Sequence, residues 1–371
     1  MSGTALGTDA DRPTPHWGRG ALVLAVTVGL LAFVVSRVDL AGVRSALAGA
    51  DPVALFATAA FSLLAYALLP SLRWQRTLLA LGHRVPFGTL VFARFGSQPL
   101  KLAIPMKGGE AFRALWLSRR TPVPLGDAAA TIVFDMFLVG VAQLLYLVMG
   151  LSLARSQLAT ALLPSVAVLG VVLALGSSFV QRLGLRLATR VSGRAGRALE
   201  QLARGFLDLP LSTKTGLLGL SLLVELTEIL AMVLCLRTLG VPVPTWAVFA
   251  AMPVVMGITL LPVTISGLGT RELAILTLLG SFAPPEALLA TALLFTTLEF
   301  LLPALAGTLV LPAFLAGLPS GAPARPVPVV FRVLRDQWPY WLLPLVVLVV
   351  ALVAFVLGTT PEGPMPFVYG P

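Results

Sequence analysis

LAIPMKGGEAFR at residues 102–113 and LLPVTISGLGTRE at residues 260–272 interrupt two apolar stretches, about 88–118 and 246–281. Each stretch has an apolar half, a proline, a Gly-rich break with charge, and a second apolar half. A half of about 12–17 residues is too short to cross about 30 Å of hydrocarbon as a helix, which takes about 20 residues. The pattern therefore predicts two broken or re-entrant helix hairpins. Such backbone is tolerated at membrane depth only where protein or a wet cavity satisfies its N–H and C=O groups.

The rest of the chain fits that setting. Of 371 residues 57% are hydrophobic and 11% are charged, against about 25% charged in soluble domains. This excludes a disordered chain, a coiled coil or an ordinary cytosolic enzyme. Uninterrupted runs able to span lie near 20–36, 52–70, 127–150, 158–180, 215–238, 285–313 and 339–358. The expected fold is an all-α polytopic membrane protein, with about seven spanning helices plus the two hairpins. Residues 1–19 read as a cytoplasmic tail, 20–318 as the transmembrane domain, 319–338 as a basic cytoplasmic linker, and 339–371 as a further span with a short outer tail.

The net charge of +10 would suggest nucleic acid in a soluble protein, but in a membrane protein it reports topology. With the N-terminus inside and each hairpin returning to its own side, 17 of the 26 basic residues fall inside. They include Arg73, Arg76, Arg84, Arg119, Arg120, Lys214 and the clusters at 182–204 and 325–335. Only Arg37, Arg44, Arg155 and Arg237 fall outside, and the C-terminus then lies outside the cell membrane. Arg94, Lys101, Lys107, Arg113 and Arg271 fall within the hairpins. Residues 182–209 repeat Arg at spacing three or four beside apolar positions, the pattern of an amphipathic inner-leaflet helix facing anionic headgroups.

Ionisable groups at bilayer depth carry the functional information. Glu110, Arg113, Asp135, Glu225, Glu228, Arg271, Glu272 and Glu299 lie in or near that zone. Left unpaired, they would cost on the order of 20 kcal/mol, so they must pair, line a wet cavity or sit nearer the interface. Glu110 and Arg113 are i,i+3 on one helix face, as are Glu225 and Glu228. Adjacent Arg271 and Glu272 point about 100° apart, so each needs a partner elsewhere. The hairpins echo each other and would enter from opposite sides. That is an inverted repeat, which places a substrate site at the repeat interface. Lys107, Gly108, Gly109, Glu110 and Arg113 from one hairpin, with Gly267, Gly269, Arg271 and Glu272 from the other, are the candidate headgroup-binding set. Asp135, Glu225, Glu228 and Glu299 are candidate coupling or counter-ion residues.

Other chemistry lacks its residues. Cys235 is alone, and His16 and His83 are the only histidines, so no Cys- or His-rich metal site is expected. No phosphate-binding GxxxxGK[ST] loop, HExxH or GxSxG occurs, and no cofactor or catalytic residue is expected. The longest non-membrane segment, about 181–214, is too short for a catalytic domain.

Arg73 with Trp74, the LAIPMKGGEAFRALWLSRR block, the Asp135 span and the LLPVTISGLGTRELAIL block together resemble a known family. It is the lysylphosphatidylglycerol synthase transmembrane, flippase-like domain, in a standalone form without the soluble synthase domain. EIL at Glu228 and LEFLLPALAG at Glu299 are nearest to its hopanoid-associated branch. The resemblance covers about 20–315 and implies a lipid-translocating domain. The family commonly has Asn where Ser97 and Gln98 stand, and often a basic residue at the positions of Phe134 and of Phe295–Thr296. It implies a transporter of a polar-headed, anionic or lipid-linked lipid. Alternatives are a lipid-binding accessory subunit of a partner synthase or exporter and, less favoured, a polyprenyl-dependent transferase. Expected partners are membrane lipids, with a partner lipid synthase or a homo-oligomer open and nucleic acid excluded.

Overall fold

The computed structural model describes residues 28, 40–103, 108–153, 166–167, 170–171, 208–259, 264 and 267–318. The N-terminal tail, the basic 182–207 segment, the 319–338 linker, the 339–371 span and Lys107 all lie outside the described residues, as do nearly all of the 20–36 and 158–180 spans.

Every regular element among the described residues is helical. A short helix, α1 (Leu40–Ala48), precedes α2 (Pro52–Ala80). The first hairpin is α3 (Phe87–Ala103) and α4 (Gly108–Arg120), followed by α5 (Leu125–Leu153). After α6 (Leu211–Thr238) comes the second hairpin, α7 (Thr245–Thr259) and α8 (Thr270–Leu279). Then α9 (Pro285–Thr296) runs through a π turn, Thr297–Leu301, into α10 (Leu302–Leu315). The helices Pro52–Ala80, Leu125–Leu153, Leu211–Thr238 and the continuous Pro285–Leu315 are long and apolar enough to cross a membrane. The four hairpin helices, at 17, 13, 15 and 10 residues, are not, as their pattern predicts.

Helix α2 shows why these residues make a membrane helix turned inside out. Asp51 caps it by accepting from the Val53 N–H at 3.0 Å, with Pro52 at the first helical position. Thr58, Ser62, Tyr66, Arg73 and Thr77 are buried, at helical spacing. Val53, Phe56, Leu64 and Leu68 are exposed. The polar stripe therefore faces protein and the apolar stripe faces lipid, the reverse of a helix in water.

The helix continues ten residues past its expected end at 70. Pro70 lacks an N–H and so frees the carbonyl of Tyr66 four residues back. The Arg94 Nε–H donates to that carbonyl at 2.9 Å, so the lost helix bond is replaced from α3 and the helix runs on. As a result Arg73, expected in an inside loop, is a buried helical residue. Lys214, expected in the same class of loop, is likewise buried in the first turns of α6.

Contacts at the helix ends fix how the two halves of the described chain, α1–α5 and α6–α10, lie. The Thr58 and Thr238 hydroxyls meet at 3.1 Å, so α2 and α6 run antiparallel. Gln75 donates to the Val85 carbonyl, His83 meets Asp127 at 2.7 Å, and Arg120 donates to the Ala316 carbonyl. Both outer ends of the first hairpin thus share one pole with the start of α5 and the end of α10. Trp246 packs edge-on against Phe282, 5.5 Å between centroids. Both outer ends of the second hairpin thus share the opposite pole.

The halves are interlocked. Helix α3 packs on α10, and α7 packs on α5. A glycine makes each contact, letting backbones approach closely. A Cβ on Gly307 would strike the Phe95 carbonyl, which lies four residues before Pro99 and is therefore free of a helix bond. A Cβ on Gly150 would strike backbone at Phe249–Ala250, where Pro253 stands in the same relation. Gly150→Val and Gly307→Val should each lower the melting temperature in detergent by several degrees, an overpacking cost of about 1–3 kcal/mol. Gly216→Val, at a helical position with open space around the Cβ, should move it far less.

Candidate functional site

The ionisable groups of the apolar helices meet between the two hairpins. On the first-hairpin side, Arg73 Nε on α2 lies 2.6 Å from Asp135 Oδ1 on α5, with side chains 3% and 14% exposed. Beside them the Trp74 indole N–H donates to Thr131 Oγ1 at 2.9 Å. The Arg113 guanidinium lies over the Trp74 ring, 4.6 Å from its centre. Glu110, in the first turn of α4, bridges two cations. Its Oε1 is 2.7 Å from Lys101 Nζ and its Oε2 is 2.7 Å from Arg113 Nη2. The i,i+3 pairing of Glu110 with Arg113 is present, and Lys101 joins it across the hairpin.

On the other side, Arg271 and Glu272 open α8 and are both buried. Gly267 and Gly269 have φ of 78° and 82°, a region where a side chain is strained. These two residues turn the chain into the helix. Glu272 Oε2 accepts from the Gly269 N–H at 2.6 Å, capping the helix. Its Oε1 accepts from the Thr296 hydroxyl at 2.7 Å, and Arg271 Nη1 donates to the same hydroxyl oxygen at 3.0 Å. The separate partners expected for Arg271 and Glu272 are thus one residue. Thr296 can serve both because a hydroxyl donates once and still accepts. The Arg271 guanidinium also lies 3.7 Å from the centre of the Phe300 ring.

Glu299 sits in the π turn next to Thr296. Pro303 cannot donate to the Glu299 carbonyl four residues back, and Leu302 donates instead to Thr297, five residues back. One Glu299 carboxylate oxygen, Oε1, is buried without a hydrogen bond. Glu225 is buried and accepts from Gln143 Nε2 at 3.2 Å. Glu225 and Glu228 line one small cleft with Gln143, Tyr146, Met252 and Met256, in keeping with their shared helix face. Glu228 is half-buried and within electrostatic reach of Arg73, Arg94, Lys101 and Arg271. Charges from both hairpins therefore converge on it. Glu299 lies near Glu228, Arg94 and Arg271, beside Ser62.

The structure thus brings Glu110, Arg113, Asp135, Arg271, Glu272, Glu225, Glu228 and Glu299 into one polar interior. Gly267 and Gly269 shape its second hairpin, and Gly108 and Gly109 begin α4. Tyr66 and Gln143 are not among the sequence candidates, and Gln98 and Thr296 enter only as positions where the family's usual residue is replaced. Tyr66 and Gln98 hydrogen-bond each other at 2.8 Å. Their signal was present in outline as polar residues recurring at helical spacing within apolar runs. Thr296 is marked only as a place where the family often has a basic residue, and nothing in the sequence points to it as a shared partner.

Apolar spanning helices around a core of paired charges define this chain as a helical membrane protein. It belongs to the lysylphosphatidylglycerol synthase TM region family, which it matches over residues 20–307. It is also 28% identical over 320 residues to the glycosyltransferase AglD of Haloferax volcanii, covering 73% of this chain and 50% of that protein. The chain spans about half the length of that curated relative.

Two pairs can be tested directly. Arg73→Met or Asp135→Leu alone leaves a charge without its partner and should destabilise by about 3–5 kcal/mol, whereas the double variant should recover much of that loss. A double-mutant cycle on thermal unfolding in detergent reads this. Thr296→Val should cost about 1–3 kcal/mol, because it leaves Glu272 and Arg271 each short of a bond. Thr296→Ser should stay close to the parent.

Proposed function

We propose that this chain moves a polar-headed lipid between membrane leaflets, as a transporter that makes and breaks no covalent bond. The headgroup occupies the polar interior between the hairpins while the tails stay in lipid. The observation that carries this reading is the convergence of charges from both hairpins on half-buried Glu228. Intramembrane charge is expensive, and where it lines an interior it marks a substrate or ion path. Packing alone would be met more cheaply by apolar side chains. In this reading Arg113 and Arg271 set the field that holds the headgroup, and Glu110 and Glu272 keep those arginines in place. Asp135, Glu225, Glu228 and Glu299 act as counter-ions or carry a coupled proton.

The same reading includes seven spans, two re-entrant hairpins entering from opposite leaflets, and an inverted repeat. Supporting it, the hairpin ends lie at opposite poles and each hairpin's first helix packs on the other half's span. The Pro99–Phe95–Gly307 contact is repeated at Pro253–Phe249–Gly150. The pole bearing Arg76, Arg84, Arg119 and Arg120 is the cytoplasmic one by the positive-inside rule, with Arg44 and Arg237 at the other. With the expected spans at 20–36 and 339–358, this reading has the N-terminus inside and the C-terminus outside the cell membrane. The likeness to a glycosyltransferase favours a lipid-linked glycan as a second choice of cargo. It also keeps open a role as a lipid-binding subunit beside a synthase or exporter.

Vesicles containing the purified protein and a trace of fluorescent lipid test this by quenching from outside. The protein should speed loss of the protected inner-leaflet signal over empty vesicles for at least one anionic, amino or polyprenyl lipid. Glu228→Gln should slow that rate at least tenfold. No acceleration for any of the three lipid classes would sink the transport reading.

A further inference from the structure

The arginines singled out from sequence are the least able to touch a ligand. Arg271 is 0% exposed and Arg113 4%. Each is already held, Arg271 by Thr296 and Phe300, Arg113 by Glu110 and Trp74. Arg73 holds Asp135 and Lys101 holds Glu110. Arg94 differs. It is half-buried, and among the described residues no carboxylate lies within ion-pair distance of it. Its Nε–H is fixed on the Tyr66 carbonyl that Pro70 frees, and its guanidinium lies over the Tyr66 ring, 4.3 Å from the centre. The Tyr66 hydroxyl is fixed in turn by Gln98. Among the described residues neither Nη atom has a hydrogen-bond partner, and neither is a buried orphan.

We propose that Arg94 grips the phosphate of the lipid headgroup. A guanidinium fixed at Nε presents its two Nη groups as a preorganised fork, which matches two oxygens of a phosphodiester. The stem is immobilised before the ligand arrives, so little side-chain freedom is lost on binding. Glu228 and Glu299 lie within electrostatic reach of the same guanidinium without a hydrogen bond to it. These acids are the partners this interior offers to groups beyond the phosphate. A phosphodiester lipid carrying donor groups beyond the phosphate therefore fits best. This deepens the transport reading and rests on it only for the identity of the polar interior as a headgroup site.

Binding tests the assignment apart from movement. Full-length protein in nanodiscs is titrated with dioctanoyl phosphatidylglycerol and with dioctanoylglycerol, which lacks the phosphate. The parent should bind the phospholipid at least tenfold more tightly. Arg94→Gln should erase that preference and leave dioctanoylglycerol binding unchanged, and Arg94→Lys should keep part of it. Should Arg94→Gln fail to fold, the parent protein still decides. Phenylglyoxal should modify Arg94, read by peptide mass spectrometry, and the phospholipid but not dioctanoylglycerol should protect it. Equal binding of the two lipids by the parent, an unchanged preference in Arg94→Gln, or no protection would overturn the proposal. Binding that depends on Arg94 without any transport would instead count against the transport reading alone.

Discussion

Most of the charge buried in this apolar surround meets a charged or polar partner within bond distance, and the architecture is organised by how the chain does so. Two small networks carry most of it. Lys101, Glu110 and Arg113 close the first hairpin on itself. Gly269, Glu272, Thr296 and Arg271 tie the second hairpin to the π turn. The Arg73–Asp135 pair then joins α2 to α5. Removing any one partner leaves a charge that neither water nor lipid can stabilise, so the helices have few alternative arrangements.

Proline acts with these networks rather than against them. Pro70, Pro99, Pro253 and Pro303 each sit in an apolar helical run and each frees a carbonyl four residues earlier. At Tyr66 the freed oxygen anchors Arg94, and at Phe95 it lies where Gly307 of the other half packs closely. At Glu299 it goes with a π turn. A defect in helix bonding is in this way converted into a fixed side chain, a close helix contact and a re-aimed acid.

The hairpins were legible in the sequence because a proline, paired glycines and charge cannot sit inside one spanning helix. The long helices were legible from hydropathy, and the Glu110–Arg113 pair from its spacing. The rest depended on contacts between distant segments, which periodicity does not encode. Pro70 looked like a helix end, and only the Arg94 side chain from α3 shows why it is not. Arg73 looked like a loop residue for the same reason. The partner of Arg271 and Glu272 lies 25 and 24 residues away and is an ordinary threonine. The charged candidates were found by their cost, whereas their neutral partners had no cost to betray them.

The interlock of the halves also has a consequence in time. The α3 surface around Phe95 waits for Gly307, roughly two hundred residues later, which at about 5–20 residues per second is some ten to forty seconds of synthesis. Over that interval the first hairpin is already in place without its packing partner. Its charges are not exposed by the delay, because Lys101, Glu110 and Arg113 belong to the same short segment and neutralise one another as soon as it exists. Arg271 and Glu272 wait 25 and 24 residues for Thr296. The first hairpin thus settles its own electrostatics early, and the contact it waits for is one of close packing, for which lipid can stand in.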